Sequence, residues 1–427
     1  MMSKYVIIGG SAGAIGAVEA IREVDPTGSL AIVTEESILG YSRPMIGDYL
    51  CGETPLEKMM YRDDRFWAEN HVQVLAGRNA ICVNFSNKYM ELDQGERIVF
   101  EKLLIATGSK PFFPSIDGTD KEGVISFITL PDAKNAKARL ERARRVVIIG
   151  GGLIGICAAE AFAKKGAKVT IVELQNRVLA LLLDDAASGI IENAIRKIGI
   201  KIMTGQTVQR IIGKSANDRV VGGVVLNNGE TILCDTVVVA AGVRSRIELV
   251  EGTDVKVNKG ILVDEFMQTN LPDVYACGDV AEAYDFISGE NRVLPQWPTA
   301  YQGGRVAGYN MAGRRTTYPG GTVMSAMSYF GIPVVAVGMA NQEEDGGYEV
   351  IVAHDASGTF YKKVVLKEGV IKGILFVGDI ERSGILFCLM RKAVNVEEFK
   401  EKLLSPDFGI VSLPSSLRRD VMSEELT

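Results

Sequence analysis

The 427-residue sequence predicts an α/β fold: two three-layer units of like construction followed by a smaller α+β domain. Three observations carry that expectation. Tyr5-Val-Ile-Ile-Gly-Gly and Val146-Val-Ile-Ile-Gly-Gly-Gly each read as an apolar strand, a glycine turn and the start of an Ala-rich helix. A second matching pair follows them, Leu103-Leu-Ile-Ala-Thr-Gly and Val237-Val-Val-Ala-Ala-Gly. Near the end, Phe360 to Leu366 and Ile371 to Val377 flank Glu368-Gly369 and read as a hairpin.

Taken in order, the first helix is expected from about Gly13 to Val24. Asp25-Pro26-Thr27-Gly28 stops it, and the strand Leu30 to Thr34 follows. The second copy runs as a helix to about Lys165, a turn at Gly166 and a strand from Lys168 to Val172. Strand, helix and strand at this spacing imply a parallel sheet with right-handed crossovers, hence Rossmann-like units. Pro and Gly accumulate from Lys110 to Asp120, and a return is expected near Ala241 to Val257, so the first domain is read as discontinuous. The expected division is 1–112 with 242–316, enclosing 113–241. The Gly-rich run Arg314 to Gly321 then leads into a third domain, 317–427.

Composition narrows the function classes. With 47 Lys+Arg against 53 Asp+Glu, the net charge is -6 and offers no basic footprint for a nucleic acid. The six cysteines (Cys51, Cys82, Cys157, Cys234, Cys277, Cys388) form no C-x-x-C pair or cluster, so no disulfide framework, iron–sulfur site or other metal centre is expected. The first strand begins almost at Met1 and leaves no room for a secretory leader, which predicts a cytoplasmic protein. The apolar stretch Val146 to Ala163 contains Gly150-Gly151-Gly152 and Glu160, which suits a strand, turn and helix better than a membrane span.

In Gly150-x-Gly152-x-x-Gly155, with Ile154 inside it, the first glycine permits a tight turn. The second lets the backbone approach a pyrophosphate, and the third allows close helix–strand packing. The phosphate meets the helix N-terminus. Glu173 closes the next strand, where a carboxylate can accept hydrogen bonds from adenosine ribose hydroxyls. No basic residue stands at 174 or 175 to hold a 2′-phosphate, which predicts NADH over NADPH. The first turn is less regular. Gly9 is followed by Ser11 and Ala14 where glycines usually stand, although Gly10, Gly13 and Gly16 surround them, and Glu35 ends its second strand.

These motifs resemble the FAD-dependent pyridine nucleotide-disulfide oxidoreductase superfamily over nearly the whole chain. Ala106-Thr107-Gly108, Ala240-Ala241-Gly242 and Val274-Tyr-Ala-Cys-Gly278-Asp279 add to the resemblance. It implies FAD at the first turn, held by Gly9, Ser11, Gly13, Ala14, Glu35, Ala106, Thr107, Gly108, Gly278 and Asp279, with Asp279 on the ribityl or pyrophosphate region. It implies NAD(H) at the second, where Gly242 joins Gly150, Gly152, Ile154, Gly155 and Glu173. Tyr41-Ser42-Arg43-Pro44 and the C-terminal hairpin are similar to the branch of rubredoxin reductases, nitrite reductase flavin domains and NADH oxidases. There Arg43 and Pro44 border the FAD, and Trp297 belongs to the segment closing over its ring. The plainer alternatives are a helix N-cap for Asp279, a surface charge for Arg43 and ordinary core for Trp297.

Two departures stand out. Residues 38 to 48 hold neither the redox cysteine pair nor the single reactive cysteine of disulfide-reducing relatives, and Cys51 reads as a packed apolar thiol. Asp48 and Cys157 occupy positions where the family commonly has Lys and Glu, so both are expected as neighbours of flavin and nicotinamide on a less polar side. The resemblance therefore implies an electron conduit in which the flavin carries the chemistry and no side chain is a catalytic nucleophile. NADH would be the donor. The acceptor would be a redox protein with an iron or iron–sulfur centre, reached as a homodimer or as the flavoprotein subunit of a larger complex. Oxygen reduction by an NADH oxidase and a flavin-binding scaffold without turnover are the alternatives.

Overall fold

The computed structural model describes residues 1–355, 358–415, 417 and 418. The chain divides into two compact units, residues 1–112 with 128–134 and 243–322, and residues 113–127 with 135–242 and 323–427.

In the first unit, parallel strands lie in the order Val72–Ala76, Leu30–Thr34, Met2–Ile8, Arg97–Ile105 and Val274–Ala276. Val6 stands opposite both Ala31 and Leu103. Every residue of Leu30–Thr34 is buried, as a strand covered on both faces requires. The helix Ala12–Val24 covers one face and packs along the helix Trp297–Met311. The strand Arg97–Ile105 ends in the small-residue turn Ala106-Thr107-Gly108, as the sequence suggests. Gly108 takes φ +70°, and Ser109–Pro111 pairs antiparallel with Val243–Ser245. A left-handed residue cannot continue a strand.

The second unit repeats the plan, with Lys201–Met203, Lys168–Val172, Arg145–Ile149, Thr236–Val239 and Val124–Ile125 in parallel order. The helix Leu153–Lys164 connects Arg145–Ile149 to Lys168–Val172, as expected of a βαβ unit. This unit also contains an antiparallel sheet ordered Met324–Tyr329, Ile332–Gly338, Val370–Val377, Tyr361–Lys367 and Tyr348–His354. The hairpin read at Glu368-Gly369 is a two-residue turn. Both residues have positive φ, 52° and 73°, as a type I′ turn requires. No helix among the described residues is long and apolar enough to cross a membrane.

Candidate functional site

The carboxyl ends of the parallel strands in the first unit open onto a cavity of about 650 Å³. Parallel strands converge their C-terminal ends and the following helix N-termini on one edge, which is where such folds bind ligands. Gly9, Ser11 and Gly13 line one wall, Glu35 the end of the second strand, and Ala106, Thr107 and Gly108 the end of the third. Arg43, Pro44, Gly278, Asp279 and Trp297 complete the set named from the sequence. Ala14 is the exception: it is fully buried in the core and stands off the cavity lining.

The backbone of the turn is shaped for a large anionic ligand. Gly9 takes φ +125°, and a Cβ there would lie 2.2 Å from the Ala106 carbonyl oxygen. Ser11 caps the helix Ala12–Val24 without a side-chain hydrogen bond, leaving the first-turn N–H groups to face a ligand. Glu35 accepts two hydrogen bonds from the Arg246 guanidinium, one of 2.8 Å from Nη2 to Oε2. A carboxylate has roughly four acceptor sites, so two remain for ribose hydroxyls. Next to it, Glu36 accepts from Arg43 and, at 2.5 Å, from the Tyr41 hydroxyl. Arg43 is thus held at the cavity rather than spread on the surface.

Asp279 sits within the helical turn Gly278–Val280, whose cap is Cys277, so its carboxylate is not a helix cap. Its Oδ2 accepts from the Ser109 hydroxyl at 2.7 Å, and the Ser245 hydroxyl donates to its backbone oxygen at 2.6 Å. Burial pushes the Asp279 carboxyl above the ordinary carboxylate range, with Ser109 and Arg43 opposing. A hydroxyl donor close to this group relieves that desolvation. Trp297 begins its helix and meets Tyr61 edge to face at 5.5 Å. These features fit FAD: a glycine turn without Cβ obstruction, helix N–H groups without a side-chain cap, and two carboxylates, Glu35 and Asp279, on the cavity wall.

Sequence reading missed Arg246, Ser109, Lys110 and Glu248, which also line the cavity. Lys110 pairs with Glu248, and the Thr107 hydroxyl donates to the Arg246 backbone oxygen at 3.0 Å. The signal was present in the repeat itself, because the residues after the two Ala-x-Gly turns pair as short strands and bring Arg246 back to Glu35.

In the second unit, Gly150 takes φ +105°, and a Cβ there would lie 2.4 Å from the Ala240 carbonyl oxygen. At Gly155 a Cβ would meet the Gly150 oxygen at 1.9 Å, while at Gly152 it would project into open space. Gly152 caps the helix Leu153–Lys164, Ile154 lies in its first turn, and Gly242 has φ +102° beside the turn's neighbouring strand. Glu173 accepts from the Gly151 and Gln175 N–H groups, the latter at 2.7 Å. Arg177, the next basic residue along the chain, is engaged by Asp185, Asn341 and the Leu183 carbonyl. Asp48 is exposed on the helix Ile46–Cys51 of the first unit, whereas Cys157 is half-buried in the second and adds to the burial that raises the Tyr329 phenol.

Comparison with known proteins matches residues 3–304 to the family described as pyridine nucleotide-disulphide oxidoreductase. Residues 324–394 match the rubredoxin NAD+ reductase C-terminal domain. The chain is 32% identical to the NADH-dependent phenylglyoxylate dehydrogenase subunit epsilon of Aromatoleum evansii, covering 99% of this chain and 98% of that one. It is 26% identical to the NADH-rubredoxin oxidoreductase of Clostridium acetobutylicum, covering 95% and 98%. Among solved structures, a NAD-dependent persulfide reductase from A. fulgidus superposes with a TM-score of 0.85 at 26% identity, over 93% of this chain and 78% of that one.

Proposed function

The chain belongs to the pyridine nucleotide-disulphide oxidoreductase family and is an FAD-dependent NADH oxidoreductase, and from that premise we propose that its acceptor is a redox protein with an iron or iron–sulfur centre. What supports this is a cavity suited to FAD in the first unit together with an open dinucleotide turn, followed by Glu173, in the second. FAD, when bound, supplies a group that accepts hydride and releases electrons singly.

The residues of the chain bind and orient. The Gly9 turn and the helix N-terminus at Ser11 receive the pyrophosphate of FAD, Glu35 its ribose, and Asp279 with Ser109 a polar group of its ribityl region. The Gly150 turn receives NADH, and Glu173 disfavours a 2′-phosphate by charge. The relationship to a dehydrogenase subunit and to a rubredoxin reductase supports a protein acceptor, taken either as a free partner or as a neighbouring subunit. Electron flow in either direction is compatible with this arrangement.

Anaerobic stopped-flow mixing of the flavin-loaded protein with NADH tests the proposal. Rapid bleaching of the flavin followed by slow recovery in air is expected. Rapid recovery in air would instead make the protein an NADH oxidase, and no bleaching would leave a flavin-binding scaffold.

A further inference from the structure

We propose that the C-terminal antiparallel sheet is part of the framework of the NADH site, because Tyr361, Lys363 and Asn341 hold the loop Glu173–Asp184 in the shape that the dinucleotide needs. This rests on reading Gly150 to Glu173 as the NADH site. It assigns positioning residues to a domain that the nucleotide motifs do not reach.

The loop follows the strand Lys168–Val172 and ends where Asp184 caps the helix Asp185–Lys197. On one side it is tied to the glycine turn: Glu173 accepts from the Gly151 N–H, and the Leu179 N–H donates to the Gly151 oxygen at 2.8 Å. Leu179 takes φ +53°, a left-handed conformation that costs a non-glycine residue about 1 kcal/mol and persists only where its surroundings fix it. On the other side it is tied to the sheet. The Tyr361 hydroxyl and the Lys363 ammonium donate to Asp184 Oδ2 at 2.8 and 3.0 Å. Asn341 donates to the Ala180 oxygen at 2.8 Å and accepts from Arg177 at 3.1 Å.

Lys363 is only 4% exposed, and Asp184 is its ion-pair partner. A buried ammonium tolerates little displacement of its carboxylate, because separation leaves a desolvated charge uncompensated. The pair therefore fixes the end of the loop. A second anchor holds the helix that begins at Gly152, since its Glu160 accepts from the Phe330 N–H at 3.1 Å, in the turn between the first two strands of the sheet. A loop of this length without regular structure would otherwise lose conformational freedom on binding NADH, and that loss would weaken affinity. The sheet removes it in advance.

The test is stopped-flow reduction of the holoprotein by NADH, read as the NADH concentration giving the half-maximal rate and as the limiting rate. For the double variant Tyr361→Phe, Lys363→Met, which removes both donors without leaving an unpaired buried lysine, we expect the half-saturating NADH to rise at least about fivefold. The limiting rate should change by less than about twofold, with flavin content intact. A purely structural role would lower flavin content or both kinetic terms together. Gly152→Val is the control, because its side chain enters open space above the turn. If Gly152→Val raises half-saturation and the double variant does not, the positioning proposal is overturned and the NADH site stands. If neither variant moves it, the NADH reading itself fails. Should the double variant lose its fold, Asn341→Ala is judged by the same readout and the same outcomes.

Discussion

The glycine turns of the two units share one backbone plan and differ in what surrounds them. Gly9 and Gly150 both take φ above 100° and press against a carbonyl oxygen at the end of a neighbouring strand, Ala106 and Ala240. Beyond that point they part. In the first unit the helix Trp297–Met311 closes on the turn so tightly that a Cβ at Gly304 would lie 2.0 Å from the Gly13 oxygen. In the second, the space above Gly152 is open. The acids follow suit: Glu35 is clamped by a guanidinium, whereas Glu173 is held by N–H groups of its own turn and loop. A resident cofactor gains residence time from a closed cradle, and a substrate that must leave in each cycle gains from an open one.

The strongest way to break this comparison is Gly304→Val. Its Cβ would meet backbone atoms of Gly13, which cannot swing aside as a side-chain end can, so we expect a loss of about 3 kcal/mol, the upper range for overpacking. Flavin per chain and the unfolding midpoint measure it. Unchanged values for both would show that close helix contact does not build the cradle. Asp279→Ala comes next. It removes the carboxylate that Ser109 bonds, and loss of a charge-assisted contact of about 1.5–3 kcal/mol weakens FAD binding by roughly 10- to 100-fold while leaving the second unit intact. Titration of the flavin-stripped variant with FAD reads this, and wild-type affinity would remove Asp279 from the site.

Glu173→Gln sharpens the other half. The amide keeps an acceptor for one of the two N–H groups, gives up the other, and loses the charge that repels a 2′-phosphate, so the preference for NADH over NADPH should fall roughly tenfold with flavin content unchanged. The ratio of half-saturating concentrations is the measurement. A constant ratio would mean that specificity is set elsewhere.

What the sequence made legible is what the backbone dictates locally. The strands Leu30–Thr34 and Lys168–Val172 lie where apolar run and turn residues put them, and Glu368-Gly369 makes the turn its residue types favour. Ala14, at the third position of the first turn, lies in the core, where a small residue allows the close packing that Gly155 allows in the second unit. Arg246 escaped because its meeting with Glu35 depends on pairing Ser109–Pro111 with Val243–Ser245, segments far apart in the chain. Lys363 gave no signal either. Its strand, Tyr361–Lys367, is buried on both faces, so the alternation that separates inward from outward residues is absent.

The smallest expected effect separates the ligand edge of the first unit from its opposite edge. Asp273 precedes the strand Val274–Ala276, at the amino ends of the parallel strands, and pairs with Lys102 at 2.8 Å and Lys88 at 2.7 Å. Hydrogen bonds from Lys102 and then Lys88 hold its carboxyl below the ordinary value of 3.8. A depressed carboxyl contributes stability that is fully present above 3.8 and is lost as pH falls through the lowered folded value, because the unfolded chain takes up the proton first. The three side chains are 28 to 42% exposed, so solvent screens the pairs and each is worth about 0.5 kcal/mol. Asp273→Asn should therefore lower the unfolding midpoint slightly at neutral pH, lose that deficit below the ordinary carboxylate range, and leave flavin content unchanged. An equal deficit at both pH values would mean that the charge of Asp273 is not what stabilises this edge. A loss of flavin would mean that the cradle depends on the whole sheet and not on its ligand edge alone.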